Sequence, residues 1–472
     1  MLALLTRAPT RMRVNFTIVC LFLAATMIFG GASRPDVQSL PVVRLTAIAM
    51  IAIAAVQIDR EQWRAMRLRF LFLLAIAAVV AVQLIPLPPQ TWASLPGRSF
   101  YVEAMTAAGV GDVWRPLSLT PDLTLNTLLA VLPPLATILA LGTIDRAFDR
   151  LFVPLLLIVI AMNAIVGLLQ VASNGLYFYS ITNEGAAVGF FSNRNHFAVL
   201  LAIGFPCLAC WASLPHPDPA FRRLRRWLAL CAAAAIFPIL LATGSRAGLI
   251  LGVIAALISI GIAVGSRRVR ADGAPRPRRR ISLLALLPFA VGVVAILATI
   301  MLSRDAALHR LLEGSEAEHR AQFLPIYVQM VRDFFPVGSG FGSFDSVFRA
   351  YEPASSMIAE YLNHAHNDLA QILIEGGLPA GILLVSFLFW FVVRSVGLWF
   401  RSIRTPADLI GRTGSAVVLL LLLSSLVDYP LRTPWMAVLT AIACGWMSAR
   451  RDPPRDEKII EKDGVGSHSG LR

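Results

Sequence analysis

Charged residues are scarce in this chain, and their scarcity indicates its broad class. Asp, Glu, Lys and Arg make up 15% of the 472 residues, whereas a soluble globular protein carries roughly 25%. Hydrophobic residues make up 57%, and the mean hydropathy is +0.69. Runs of about 20 apolar residues, long enough to cross a bilayer as a helix, recur along nearly the whole sequence. The composition predicts an all-α polytopic membrane protein and excludes an ordinary soluble enzyme.

Cysteine is also rare, and its placement gives no sign of redox chemistry. Cys207 and Cys210 have the spacing of a redox motif, but they lie in an apolar run without the βαβ context of a thioredoxin-like domain. We interpret the cysteines as small buried hydrophobic residues and expect no disulfides. The sequence also lacks a fixed-period repeat and a soluble catalytic domain.

The apolar runs predict about twelve membrane spans, which form a single transmembrane domain over residues 1–450. The first run follows three arginines and resembles a signal peptide, but the many further runs favour a retained helix. The charged, Gly- and Ser-containing residues 451–472 predict a disordered cytoplasmic tail. The predicted spans are 14–32, 38–57, 68–86, 123–143, 151–172, 196–213, 227–243, 248–265, 281–302, 378–399, 413–428 and 433–449.

Basic residues cluster in alternate loops, and this bias orients the predicted spans. With both termini in the cytoplasm, the basic loops all fall inside, and residues of about 303–377 form a large periplasmic loop between spans 9 and 10. The net charge of +14 is then mainly a topology signal. We expect anionic membrane lipids as a partner, and no nucleic acid. The basic clusters assigned to the inside are at 60–69, 146–150, 222–226, 267–280 and 394–412.

The most polar segment beside a predicted span contains His364, His366, Asn367 and Asp368, with Glu375 following shortly after. Such groups at a membrane edge cost free energy unless they are solvated, paired with other polar groups or part of a functional site. Two histidines at this spacing could also be metal ligands, but the sequence shows no second ligand cluster.

Three predicted outer arginines run against the charge bias, each in a short motif at a membrane boundary. Arg194 lies in Gly-Phe-Phe-Ser-Asn-Arg-Asn-His-Phe, Arg246 in Thr-Gly-Ser-Arg-Ala-Gly, and Arg320 in Glu-His-Arg within the long loop. A guanidinium group stays charged and offers forked donors, which suit a diphosphate. Taken alone, Arg246 could be an interfacial anchor, and Asn193 and Asn195 could be helix caps.

The long loop also contains an amphipathic segment followed by glycines. Apolar residues recur at helical spacing from Phe323 onwards, which predicts a helix lying on or in the membrane interface. Gly338 and Gly340 follow, where positive φ angles would allow successive N–H groups to form an anion-binding nest; a simple turn is the alternative. In the last outer loop, Arg432 and Asp428 are close enough in sequence to form an ion pair.

The polar motifs predict chemistry on the outer face of the membrane. Arginines there would neutralise a diphosphate as it leaves, and a histidine would take or position the proton of an acceptor hydroxyl. An apolar groove beside them would hold a polyprenyl tail. This pattern favours glycosyl transfer from a lipid diphosphate donor.

The ordered set of motifs resembles the O-antigen ligase and polymerase superfamily over about residues 185–400. The matching elements are Gly-Phe-x-x-Asn-x-Asn, Ser-Arg-Ala-Gly, an Arg-led helix with Pro-x-Gly-x-Gly, and His-x-His-Asn-Asp with Glu-x-Gly-Leu. The resemblance implies a GT-C-like enzyme of the bacterial inner membrane with its active site on the periplasmic side. It also implies an undecaprenyl-diphosphate-linked glycan donor and catalysis without a metal ion or other cofactor.

Carried over to this sequence, the resemblance implies that Arg246 and Arg320 bind the diphosphate and that His366 is the catalytic histidine. His364 is the neighbouring alternative, and Arg194 is an additional basic candidate. The residues that would support the site are Asn195, Gly338, Gly340, Asn367, Asp368 and Glu375.

The acceptor is left open by these motifs, because the donor chemistry is shared across the superfamily. A ligase would transfer the glycan to a lipid A–core sugar, a polymerase would extend a growing glycan, and related members glycosylate proteins. We favour the ligase type. A different class, a twelve-span transporter or flippase, would more often carry polar residues in mid-span and internal repeats, and this sequence has few of the former and none of the latter.

Overall fold

The computed structural model describes residues 9–145, 148–268, 322–354 and 362–448, and these are mostly helical. Within them, ten helical segments are long and apolar enough to cross a membrane, with Pro121–Leu129 and Leu132–Gly142 counted together as one segment. Pro434–Ser448 is a shorter apolar helix at the predicted last span. The polytopic helical architecture is therefore confirmed. The predicted ninth span, Arg320 and the tail over 451–472 lie outside the described residues.

Two short strands, β1 (Pro86–Leu87) and β2 (Arg115–Pro116), pair antiparallel. The first half of the chain forms helices α1 (Thr10–Phe29), α2 (Leu40–Gln57), α3 (Arg60–Val82), α4 (Pro89–Ala93), α5 (Ser99–Ala107), α6 (Pro121–Leu129), α7 (Leu132–Gly142) and α8 (Asp149–Ser173). The second half forms α9 (Arg194–Ser213), α10 (Pro219–Ala242), α11 (Arg246–Arg268), α12 (Leu324–Phe334), α13 (Phe344–Phe348), α14 (Asp368–Trp399), α15 (Pro406–Ser424) and α16 (Pro434–Ser448).

Several helices begin earlier than the apolar runs that predicted them. The predicted span at 68–86 belongs to α3, which begins at Arg60 because the Asp59 carboxylate accepts the first free N–H groups. In the same way, Asp218 caps α10 ahead of the span predicted at 227–243. Hydropathy detects the apolar part of a helix, whereas capping residues define where it begins.

Helix α9 lies at the centre of the bundle. Every residue from His196 to Leu208 is buried, and the helix packs against α8, α10, α11 and α15. A helix that is apolar on all sides is stable only when neighbours surround it. The sequence of α9 therefore places its first turn, and His196 with it, deep within the protein.

One end of the bundle, which we call the site end, is where α9, α14 and α16 begin and α1 and α15 end. The Trp435 N–H at the start of α16 donates to the Gly30 carbonyl after α1 at 3.0 Å. The Asp368 N–H at the start of α14 donates to the Ser425 carbonyl after α15 at 2.9 Å. These bonds join loops from distant parts of the sequence at one end.

Arginines of the predicted inner loops lie at the opposite end. The Arg412 guanidinium donates to the Leu398 carbonyl at 3.0 Å, and Arg394 donates to the Met447 carbonyl. The bundle thus separates these arginines from the histidine segment, as the alternation of basic loops predicts.

Helix α14 contains a break at Gly377, where φ is 57°. Pro379 has no N–H group, so the Glu375 carbonyl lacks its usual helical donor and instead accepts the Gly340 N–H at 2.9 Å. A Cβ atom at Gly338 would collide with this same carbonyl. Glycine is therefore required at 338 for the close approach of the two backbones.

For the glycines after α12 the structure favours the simple turn over the anion-binding nest, although the positive φ angles that a nest needs are present at Gly338 (87°) and Gly340 (106°). The N–H groups of this segment already donate to protein acceptors, which leaves them no capacity for a bound anion. The donor and acceptor pairs are Gly338 to Phe334, Ser339 to Ile374, Gly340 to Glu375, and Phe341 to the side chain of Gln83.

The predicted amphipathic helix in the long loop is α12, but its environment differs from the prediction. Tyr327, Met330 and Phe334 form the stripe and are buried. They belong to a small core with Phe344 and Phe348, and the rings of Tyr327 and Phe344 lie 5.7 Å apart. The stripe packs on protein, and the position of α12 on or in the membrane interface stays a prediction.

Candidate active site

His366 and Asp428 form the central contact of the site end. The Nδ1 atom of His366 lies 3.2 Å from Oδ1 of Asp428, and the carboxylate is fully buried while the imidazole keeps 14% of its side-chain surface exposed. The Tyr429 N–H donates to the same oxygen at 2.9 Å. Because a carboxylate accepts hydrogen bonds, Nδ1 carries the proton. The Nε2 atom is then the one that can accept a proton.

The backbone around His366 turns sharply into α14. Its φ angle is 48°, which is uncommon for a residue with a side chain. The next residue, Asn367, caps α14 by accepting the Ala370 N–H at 3.0 Å. Strained conformations of this kind cluster at functional sites, and here the strain occurs at the histidine that carries the predicted catalytic role.

His196 approaches the same carboxylate from α9. Its Nε2 atom is 3.9 Å from Oδ1 of Asp428, and its side chain is buried. The ring of Tyr429 packs against three imidazoles, with centroids 4.3 Å from His364, 4.8 Å from His366 and 5.2 Å from His196. Residues from two distant parts of the sequence therefore converge on the loop after α15.

Arg432 pairs with two carboxylates beside this cluster. Its guanidinium lies 3.1 Å from Asp368 and 3.4 Å from Glu375. Ser425 donates to the second oxygen of Asp368 at 3.0 Å. The nearby carboxylates raise the pKa of Arg432 despite its burial. The charge of Arg432 is thus already neutralised within the protein.

His364 is held in its neutral form. The Ala365 N–H donates to Oε1 of Gln371 at 3.0 Å, which orients that amide. The amide nitrogen of Gln371 then donates to Glu375 at 2.8 Å and lies 3.3 Å from Nδ1 of His364. Burial, reinforced by Arg432, lowers the pKa of His364 well below its ordinary value. A neutral His364 can accept this hydrogen bond, whereas a protonated one would oppose Arg432.

The Asn-Arg-Asn motif begins α9 at the site end. Asn193 caps the helix by accepting the Asn195 N–H at 2.8 Å, which confirms the capping interpretation for Asn193. Arg194 is 7% exposed, and its backbone N–H donates to Asn183 at 3.0 Å. Asn195 lies in the first turn, immediately before His196.

Arg246 is the first residue of α11. Ser245 caps this helix by accepting the Gly248 N–H at 3.0 Å, and Gly248 packs closely against Ala198 of α9. Since α9 and α11 run side by side and both begin near this contact, Arg246 and His196 belong to the same end of the bundle.

The sequence interpretation missed most of the partners of the histidine segment. His196 was only a neighbour of the Asn-Arg-Asn motif, and Tyr429 gave no signal. An ion pair was predicted for Arg432 with Asp428, but Arg432 pairs with Asp368 and Glu375. Their position in loops at the predicted outer membrane boundary was the one signal that could have found them.

Among the described residues, no group of three or more His, Cys, Asp and Glu side chains has an arrangement that could hold a metal ion. The helical bundle and its polar cluster define a polytopic membrane protein with a buried, histidine-containing site at one end. The site combines an imidazole oriented by a carboxylate with nearby arginines, an arrangement suited to proton transfer beside an anion.

Residues 229–385 match the family model described as O-Antigen ligase. This match confirms the superfamily resemblance predicted from the motifs and supports a membrane enzyme of the ligase or polymerase type. The matched segment includes Arg246, Arg320, His364 and His366, whereas His196, Asp428 and Arg432 lie outside it. No curated protein matches the chain.

Proposed function

We propose that this protein is an inner-membrane glycosyltransferase of the O-antigen ligase type. It would move a glycan from an undecaprenyl-diphosphate carrier to an acceptor sugar hydroxyl on the periplasmic face. The observation that carries this proposal is the hydrogen bond between His366 and the buried Asp428, within a chain whose residues 229–385 match the O-Antigen ligase family.

In the proposed reaction, Nε2 of His366 takes the proton of the acceptor hydroxyl as its oxygen attacks the anomeric carbon. The bond from that carbon to the diphosphate oxygen breaks, and undecaprenyl diphosphate leaves. The Asp428 carboxylate stabilises the imidazolium, as the orienting carboxylate does in a catalytic triad.

The leaving diphosphate needs positive charge close to its oxygens. Arg432 fits this role poorly, because Asp368 and Glu375 neutralise it. We assign the diphosphate to Arg246 and Arg320, with Arg194 as an additional candidate. Guanidinium groups can stabilise the developing charge without a metal ion, so we propose metal-independent catalysis.

Deleting the gene and comparing the cell-surface glycans tests this function. Lipopolysaccharide that ends at the core, with lipid-linked polymer accumulating, would identify a ligase. Glycan that stops at one repeat unit would identify a polymerase. Purified protein in EDTA-containing buffer should release undecaprenyl diphosphate from donor extracted from the deletion strain, and no release in the presence of native lipid acceptors would refute both assignments.

Replacing Arg246 with alanine should lower this release by about 10²–10³-fold, the typical cost of removing one group that stabilises transition-state charge. The expected control is Arg349→Ala, because Arg349 is exposed and pairs with Asp345 within one helical turn. Folding is checked by gel filtration of both variants. Full release by Arg246→Ala at the normal donor concentration would remove Arg246 from the proposed diphosphate site.

The proposed orientation can be tested with single cysteines. Gly111, in the loop before β2, has open space around it, and that loop lies with the segments that pack at the site end. In a background whose native cysteines are replaced by alanine, Gly111→Cys should react with an impermeant thiol reagent added from the periplasmic side. Ala220→Cys, at the start of α10 and the opposite end, should react only after permeabilisation. The reverse pattern would overturn the orientation.

A further inference from the structure

We propose that His196 is a positioning residue that acts on His366 through Asp428. This inference rests on the proposed glycosyl transfer and adds a residue outside the part of the chain that matches the O-Antigen ligase family.

His196 is an unusual buried residue. Its side chain is 0% exposed, and among the described residues neither ring nitrogen makes a hydrogen bond. Burying an unsatisfied polar group costs about 1–3 kcal/mol, and such groups call for an explanation. Packing alone does not explain an imidazole here, because a phenylalanine would fill a similar space between Phe191 and Tyr429 without that cost.

A neighbouring carboxylate explains why an imidazole occupies this position. Nε2 of His196 lies 3.9 Å from Oδ1 of Asp428, the same oxygen that binds Nδ1 of His366 at 3.2 Å. A shift of about 1 Å brings His196 to hydrogen-bond distance. At that distance, and with its proton on Nε2, His196 is a second ring N–H donor to the carboxylate that orients the catalytic histidine.

A second donor at Asp428 changes what the carboxylate does for His366. Each N–H at the oxygen disperses part of its negative charge. With the His196 donor present, Asp428 holds His366 in the correct tautomer without binding its protonated form too tightly. Without it, the imidazolium of His366 is stabilised and the free base forms only at higher pH.

Other charged groups near Asp428 remain in place when His196 is replaced, so their electrostatic effect on His366 is the same in each variant. These groups are His364 and His366 before α14, Asp368 at its start, and Arg432 in the loop after α15.

The test compares three substitutions of His196 in the purified full-length protein. Glutamine places an amide N–H near the position of Nε2, asparagine places it near Nδ1, and phenylalanine removes it. The probe is undecaprenyl-diphosphate-linked glycan extracted from a strain that lacks the gene, in liposomes containing native lipid acceptors. The measurement is release of undecaprenyl diphosphate as a function of pH.

On the acidic limb of the pH profile, we expect His196→Phe and His196→Asn to lower kcat about tenfold with an unchanged KM for the donor. That limb should move up by about one pH unit, the effect of losing the hydrogen bond that His196 makes once it moves to within reach of Asp428. His196→Gln should keep the wild-type profile. In an Asp428→Asn background, His196→Phe should have no further effect, because its influence passes through Asp428.

An unchanged pH profile in folded His196→Phe or His196→Asn, with wild-type protein active, would overturn the inference. Equal losses in the glutamine and asparagine variants would also overturn it, since they indicate a purely structural role. If wild-type protein releases no undecaprenyl diphosphate, the proposed function itself fails. The comparison of glutamine with asparagine keeps the test valid even if the phenylalanine variant does not fold.

Discussion

Replacing His366 with glutamine should reduce glycan transfer by about 10²–10⁴-fold, the usual contribution of a general base. Glutamine is polar and similar in reach, but its amide cannot take a proton from the acceptor hydroxyl. The measurement is release of undecaprenyl diphosphate by purified protein at saturating donor. The loss should appear in kcat, because the proton is transferred in the chemical step.

The matched control is His216→Gln. His216 lies between α9 and α10 at the opposite end of the bundle, where its Nδ1 atom accepts the Asp218 N–H at 3.2 Å. This variant should transfer glycan at the wild-type rate. If His366→Gln retains wild-type kcat while His364→Gln loses activity, the catalytic role belongs to His364.

Replacing Arg432 with methionine should destabilise the protein by about 3–5 kcal/mol, the cost of breaking a buried ion pair by removing one partner. Asp368 and Glu375 would remain buried with one negative charge each and no counter-charge. The measurement is the thermal unfolding temperature in detergent, which should fall by several degrees.

Arg349→Met is the control for this prediction, because Arg349 and Asp345 form an ion pair of similar length, 3.0 Å, on an exposed surface. Exposed pairs contribute about 0–1 kcal/mol, so this variant should unfold almost as the wild type does. Equal unfolding temperatures for Arg432→Met and wild type would show that Arg432 does not stabilise the two buried carboxylates.

The predictable part of the site is the part that is continuous in sequence. His366, Asn367 and Asp368 are neighbours, and Glu375 follows two helical turns later, so a helix N-terminus was enough to group them. The amphipathic helix from Leu324 to Phe334 was predictable for the same reason, since its spacing is a local property. The partner of its apolar face was not predictable, because membrane lipid and a protein core both favour the same apolar stripe.

The unpredicted part depends on contacts between distant segments. Asp428 meets His366 and His196 only because α9 and α15 pack together and the loop after α15 turns over the start of α14. The glycines after α12 were identified correctly as positions of positive φ. The choice between an anion-binding nest and a turn stayed open, since nothing local reveals that Pro379 leaves the Glu375 carbonyl in need of a donor.

The sequence by itself determined the membrane class, the helical character of the spans, the separation of basic loops from the histidine segment, and the resemblance to the O-antigen ligase superfamily. These follow from composition, periodicity and short ordered motifs, which are properties of neighbouring residues. Only the tertiary structure decided which charged side chains are paired within the protein. It neutralises Arg432 with two carboxylates and brings Asp428 between two histidines, because hydrogen bonds and ion pairs act over about 3–4 Å and the helical packing alone determines which distant side chains come that close.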